Sequence, residues 1–123
     1  MKLRIKGNTI RFRLTKSEVE YFGNIFYIEE KTEFGNNSLT YALSTSDHSK
    51  ISATFNNNKI EINIPKQIAQ GWITSNRVGI DGEIEIEQNK KLYILIEKDF
   101  KCLDDTIEDQ SDNYENPSAS EKK

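Results

Sequence analysis

Over residues 1–97, large apolar side chains recur at every second position in short stretches, and each stretch ends on turn-forming residues. Leu3 and Ile5 alternate with Lys2, Arg4 and Lys6, and Gly7-Asn8 follows, a pair that tolerates positive φ. Ile10, Phe12 and Leu14 then alternate with Arg11 and Arg13. A period of two is that of a half-buried strand, so this is a hairpin with an apolar inner face and a basic outer face. Thr15-Lys-Ser-Glu18 has the spacing of a capping box and predicts a short helix over residues 16–22, stopped by Gly23. Aromatic and β-branched residues at 25–33 and alternation at 38–44 predict a second hairpin about Phe34-Gly35-Asn36-Asn37.

The same order then recurs. Ile51, Ala53 and Phe55, the turn Asn56-Asn57-Asn58, and Ile60, Ile62 and Ile64 predict a third hairpin. Pro65 suits the first turn of a helix over 65–73, with Ile68, Ala69 and Trp72 inward. Residues 78–87 and 92–96 close a fourth hairpin about Gln88-Asn89-Lys90. The two halves align at an offset of fifty: Ile10 falls on Ile60, Phe12 on Ile62, Leu14 on Ile64, Val19 on Ala69 and Phe22 on Trp72. The expected fold is therefore mainly β (α+β), with eight short antiparallel strands and two short helices, built from two strand-strand-helix-strand-strand repeats at about 1–47 and 51–97. A strand layer cannot hide its own apolar face, so these repeats should form a pseudo-two-fold small barrel or a sandwich, with helices at the ends. A small barrel is preferred. A two-layer sheet with both helices on one face is the second architecture. Halves of this kind can also exchange hairpins between chains.

Charge sharpens the picture. The first sixteen residues hold Lys2, Arg4, Lys6, Arg11, Arg13 and Lys16 and no acid. Residues 1–96 carry net +2 and residues 97–123 net −5, within a total of −3. After Phe100 the apolar alternation stops, which divides the chain into a body (1–97), an acidic extension (98–112) placed to dock on it, and a flexible tail (113–123). No run approaches twenty apolar residues, and the alternating start is no signal-peptide core, so a cytoplasmic protein without membrane contact is expected. The single Cys102 can form no internal disulfide, which fits a reducing compartment.

Four groups are candidate sites. Asp105, Asp109 and Asp112 share a face at spacings of four and three if helical, an oxygen cluster that hard cations accept. The calcium-loop glycine is missing, and a solvated acidic terminus is the plain alternative. Cys102 and His48, the only residues of their types, supply too few ligands for structural zinc, and a small buried hydrophobe is the ordinary reading of Cys102. Lys2, Arg4, Arg11 and Arg13 form a basic stripe able to meet anions, against a solvated edge face as the plain reading. The stripe lacks aromatics for base stacking, which makes nucleic acid an unfavoured partner. The acidic extension or the Glu83-Glu85-Glu87 ladder could lie across it. Tyr21, Phe22, Phe26, Tyr27, Phe34 and Tyr41 crowd the first half and could present a partner surface. No phosphate loop, nucleophile elbow or His-Glu-x-x-His occurs. No cofactor or catalytic residue is assigned, and the enzyme question leans to no.

Three segments together carry a resemblance: Lys-Leu-Arg-Ile-Lys-Gly-Asn at 2–8, Ile-Pro-Lys-Gln-Ile-Ala-Gln-Gly-Trp at 64–72, and Glu-Lys-Asp-Phe-Lys-Cys-Leu-Asp at 97–104 with Glu-Asp-Gln-Ser-Asp at 108–112 and Asn-Pro at 116–117. The chain resembles a family of small bacterial proteins of unknown function from Bacteroidota-like genomes. The resemblance implies a bacterial cytosolic protein and transfers no activity. The expectation is a non-catalytic binding or adaptor module working through a protein partner or self-association. The alternatives are a small-ligand or divalent-metal protein using 102–112, and a nucleic-acid regulator using the basic hairpin.

Overall fold

The structure, a computed structural model, describes residues 1–100. Its elements follow in the order β1 (Lys2–Lys6), β2 (Thr9–Leu14), α1 (Lys16–Ile25), β3 (Tyr27–Glu33), β4 (Ser38–Ser46), β5 (Ser52–Asn56), β6 (Lys59–Pro65), α2 (Lys66–Thr74), β7 (Gly79–Glu87) and β8 (Lys90–Lys98). The order ββαββ thus occurs twice. The strands form two four-stranded sheets, β1-β2-β8-β7 and β3-β4-β6-β5. This is the sandwich form of the expected β-rich fold and not the closed small barrel. The residues of the acidic extension and tail beyond Phe100 lie outside the described residues.

Each sheet takes one hairpin from each half. The hairpins are antiparallel, as their turns require, but the strands that join them at the sheet centres run parallel: β2 with β8, and β4 with β6. Within the chain, each half therefore gives one hairpin to each sheet. Alternation fixes which side chains face inward, but it cannot show which hairpin lies beside which, or in which direction.

The inner faces make matching rows. Leu3, Phe12, Ile96 and Ile80 run across one sheet, and Ala53, Ile62, Leu43 and Ile28 across the other. Burial follows the fifty-residue offset: Ile10 and Ile60 are both 8% exposed, and Phe12, Ile62, Leu14, Ile64, Phe22 and Trp72 are all 0% exposed. Val19 and Phe22 of α1 and Ala69 and Trp72 of α2 join this single core. A fully buried side chain of this size contributes about 1.5–3 kcal/mol over an exposed one.

The helices pack against each other instead of plugging separate ends. Helix α1 also runs past Gly23 to Ile25 and is capped by Phe26, at φ 62°, whose amide donates to the Phe22 carbonyl. The reason is the neighbouring helix: a Cβ on Gly23 would lie 3.1 Å from Ile73 Cγ2 of α2. Glycine serves the helix crossing here and not a helix stop. The capping box forms as the spacing predicts, with the Glu18 amide donating to Thr15 Oγ1 and the Thr15 amide to Glu18 Oε1.

Glu18 does a second job that the sequence hides. The Met1 ammonium donates to Glu18 and, at 3.0 Å, to Glu30 of β3. The Tyr41 hydroxyl of β4 donates to the Met1 carbonyl oxygen at 3.0 Å. The start of β1 is thereby fastened to the other sheet. Burial alone would lower the ammonium pKa, but the bonds to Glu18 and Glu30 outweigh it and hold the value above its ordinary 8.0. Burial would raise the Glu18 carboxyl, but the ammonium and Thr15 outweigh it and hold the value below its ordinary 4.5. The carboxylate's contribution is therefore complete above about pH 4.5 and is lost as pH falls through the depressed folded value. The ammonium's contribution is complete below about pH 8.0 and is lost as pH rises through the raised folded value. Glu18→Gln, which can still cap the helix, is expected to cost about 1–2 kcal/mol near neutral pH. That cost should shrink at both acid and alkaline pH. Urea unfolding of both proteins across the pH range checks this, and a cost that does not vary with pH would leave Glu18 a capping role only.

Candidate functional site

The outer face of the first sheet gathers the basic stripe. Hairpin register sets Lys2 opposite Arg13 and Arg4 opposite Arg11, with Lys6 beside Thr9. Lys2, Arg4, Arg11 and Arg13 line one concavity of about 330 Å³, with Leu3 at its wall. All four predicted binding residues are thus brought together. Like charges set directly across a strand pair are destabilising by roughly 0.2–1 kcal/mol. Two such pairs are maintained here.

The second half provides an internal control. At the offset of fifty, Lys2, Arg4, Lys6, Arg11 and Arg13 fall on Ser52, Thr54, Asn56, Glu61 and Asn63. The same hairpin is built there, with Ser52 opposite Asn63 and Thr54 opposite Glu61. Both β1 and β5 are edge strands. The hairpin can therefore be built without cations at these places: β5, likewise an edge strand, carries Ser52, Thr54 and Asn56 there.

Neighbouring strands decide how the stripe is balanced. Glu97 of β8 lies between Arg11 and Arg13, its Oε1 3.4 Å and 3.7 Å from their Nε atoms. Arg11 Nε and Glu97 Oε1 are shielded from solvent yet make no hydrogen bond among the described residues. Their separation exceeds that of a well-formed charged hydrogen bond. Lys2 Nζ lies 3.3 Å from Asp99. Further across the same face come Tyr93 and Leu95 of β8, and then Asp81 and Glu83 of β7. The sheet thus presents cations on one side and carboxylates on the other, with two apolar-bodied residues between. The Glu83-Glu85-Glu87 ladder does not lie across the stripe. It occupies the opposite edge strand, where Glu83 meets Lys91 at 3.3 Å and Glu87 meets Lys90 at 3.9 Å.

A family model described as a family of unknown function, DUF7009, matches residues 1–118. The chain belongs to this family. The DUF7009 match runs past Phe100, so the stretch that follows β8 is part of the family's unit along with the two sheets. Comparison with curated proteins and with solved structures gives no match. DUF7009 membership therefore supplies the unit and its extent, and the site is argued from geometry.

The other candidates fare differently in this DUF7009 chain. Cys102, Asp105, Asp109 and Asp112 lie outside the described residues. Among the described residues, no three His, Cys, Asp or Glu side chains are grouped so as to hold a metal ion. His48 is exposed in the loop before β5, in a hollow shared with Ser46, Asp47, Ser49 and α2 residues. The first-half aromatics separate. Phe22 is core, Tyr41 serves the Met1 contact, Tyr27 and Phe26 sit beneath Lys59 and Lys66, and Tyr21 and Phe34 stay exposed. No helix among the described residues is long and apolar enough to cross a membrane. Sequence reasoning missed one feature: an apolar groove where α1, α2 and the end of β8 meet, lined by Leu14, Val19, Ile73 and Phe100. The place of Phe100, two residues past the last strand and in phase with Leu92, Ile94 and Ile96, was the one signal for it.

Proposed function

We propose that this protein is a non-catalytic binding module that recognises an acidic segment of a protein partner through Lys2, Arg4, Arg11 and Arg13. The observation that carries this reading is the internal control: the equivalent hairpin of the second half folds with Ser52, Thr54, Glu61 and Asn63 at those positions. The cations of β1 and β2, held at a cost in like-charge repulsion, are thus in excess of what the fold uses. Arginine suits carboxylates because its planar fork can meet both oxygens.

A protein partner is favoured over nucleic acid by the rest of the face. Strands in a sheet lie about 4.8 Å apart, which puts the β7 carboxylates roughly 10 Å from β2, about one Debye length at physiological salt. A phosphate backbone crossing the sheet would meet them, whereas a folded or peptide partner can place its own cation there. The bacterial cytoplasm remains the proposed setting, on the family resemblance and the single Cys102.

Fluorescence anisotropy with a labelled peptide that carries a glutamate block followed by a lysine block, and with a single-stranded oligonucleotide of equal length, tests the reading at low and high salt. The peptide is expected to bind more tightly. The triple variant Lys2→Ser, Arg4→Thr, Arg13→Asn, which takes the second half's residues, should keep the fold and lose about tenfold in peptide affinity, at a few tenths of a kcal/mol or more per charge. Unchanged peptide binding in that variant would remove the site. Tighter oligonucleotide binding would shift the reading to nucleic acid.

A further inference from the structure

The groove between the helices and the end of β8 lies apart from the cationic face. It encloses about 630 Å³, the size range of a ligand pocket, and its floor is formed by Leu14 and Val19. Ile73 of α2 and Phe100 stand at its walls, and Phe100 is 60% exposed. An apolar concavity rimmed by polar side chains has the form of a seat for an apolar segment.

We infer that the occupant is the chain's own next segment, residues 101–107, seated through Leu103 and Ile107. Three observations converge on it. First, the chain leaves the sheet along the groove: the Asp99 amide donates to the Leu14 carbonyl at 2.7 Å, and Phe100 itself is part of the wall. Second, the apolar residues that follow fit the groove in spacing. Phe100, Leu103 and Ile107 are separated by three and four positions, the spacing that sets side chains on one side of a helical turn. Seven residues span at most about 25 Å, so both aliphatic side chains can reach a groove whose wall is Phe100. Third, the family match continues through this segment to residue 118, so it belongs with the two sheets.

Charge permits this occupant without choosing it. Lys16 and Lys98 on the rim can face Asp104 and Asp105, but Glu20 and Asp99 share that rim. The apolar spacing and the tether make the choice. Tethering matters because a covalently attached segment acts at an effective concentration of about millimolar, so two side chains suffice where a free peptide of the same sequence would stay unbound. Seated in this way, the segment covers Ile73 and Phe100 and brings its carboxylates alongside α1.

Cys102, the only cysteine, is the reporter. In the native full chain its labelling by a maleimide is expected to be roughly tenfold or more slower than in the variant Leu103→Ser/Ile107→Ser. Serine leaves the charge around the thiol unchanged, and both substitutions lie beyond the two sheets, so the body stays folded. Ile73→Ser, on the opposite wall, should raise the rate in the same way, with folding checked by circular dichroism. Equal rates in wild type and Leu103→Ser/Ile107→Ser would overturn the inference. Protection that grows with protein concentration would also overturn it, in favour of a second copy's segment in the groove.

Discussion

Trp72→Ala is expected to cost about 3–5 kcal/mol of stability, the range for removing a large aromatic side chain from a packed core. Trp72 is fully buried, and it is the largest side chain in the core. Its Nε1 donates to the Val78 carbonyl at 3.0 Å, closing the turn that leads from α2 into β7. Lys98 Nζ lies 5.7 Å from the ring centroid, so the end of β8 also leans on it. Alanine would empty the centre of the helix–sheet contact and leave the Val78 carbonyl with the Lys98 amide, at 3.0 Å, as its remaining donor. Trp72→Phe separates these effects. Phenylalanine is what the first half carries at the matching position, where Phe22 is equally buried. That variant should lose about 1 kcal/mol for the hydrogen bond and a further small amount for volume. Equilibrium urea unfolding followed by circular dichroism reads both, since the replaced residue is the only tryptophan. If phenylalanine costs as much as alanine, packing is not what Trp72 supplies.

The second large effect is expected at Gly82. This residue is in β7 of one sheet, and a Cβ there would stand 2.5 Å from Cγ2 of Ile51, at the entry to β5 of the other. The methyl is a branch close to the Ile51 backbone and cannot swing clear as the tip of a long side chain could. Gly82→Val should therefore destabilise by about 1–3 kcal/mol despite the better strand propensity of valine. The cost should fall in Gly82→Val/Ile51→Ala, where the opposing methyl is gone. A double-mutant cycle is expected to give a coupling of about 0.5–3 kcal/mol, as for residues in contact. An additive cycle would mean that the two sheet edges do not meet there. This contact and the Met1 ammonium on Glu18 and Glu30 hold opposite margins of the sandwich. One works by close approach and the other by charge.

The two margins also show why much of the architecture is not legible in the sequence. Glycine at 82 reads there as a weak point in a strand, and only the arrival of Ile51 from the other sheet gives it a reason. Glu18 reads as a capping residue. Nothing local announces that the chain's first amine will reach it, because that contact depends on where β1 lies on the finished sandwich. Gly23 reads as the end of α1, since glycine after an apolar helical run commonly is one. The neighbouring helix places it at a crossing instead, and Phe26 takes the left-handed cap.

The basic stripe is legible as a stripe. Arg4, Arg11 and Arg13 alternate with apolar residues, and alternation alone places them on one face. The sequence does not say that the carboxylates of β7 share that face, since β7 reaches it only through the parallel pairing of β2 with β8. The groove beside Phe100 is hidden for the same reason. Its walls come from Leu14, Ile73 and Phe100, residues far apart in the chain.

By itself, then, the sequence determined the local elements, the inward-facing side chains and the fifty-residue correspondence that makes Phe22 and Trp72, or Leu14 and Ile64, equivalent. These follow from periodicity, turn chemistry and capping, which act over a few residues. The tertiary structure alone decided that each sheet would take one hairpin from each half, that the central pairs would run parallel, and that cations and carboxylates would share an outer face. Those outcomes depend on contacts between residues tens of positions apart. Their loop-closure cost and packing gain are set by the whole sandwich and leave no mark on any short stretch of chain.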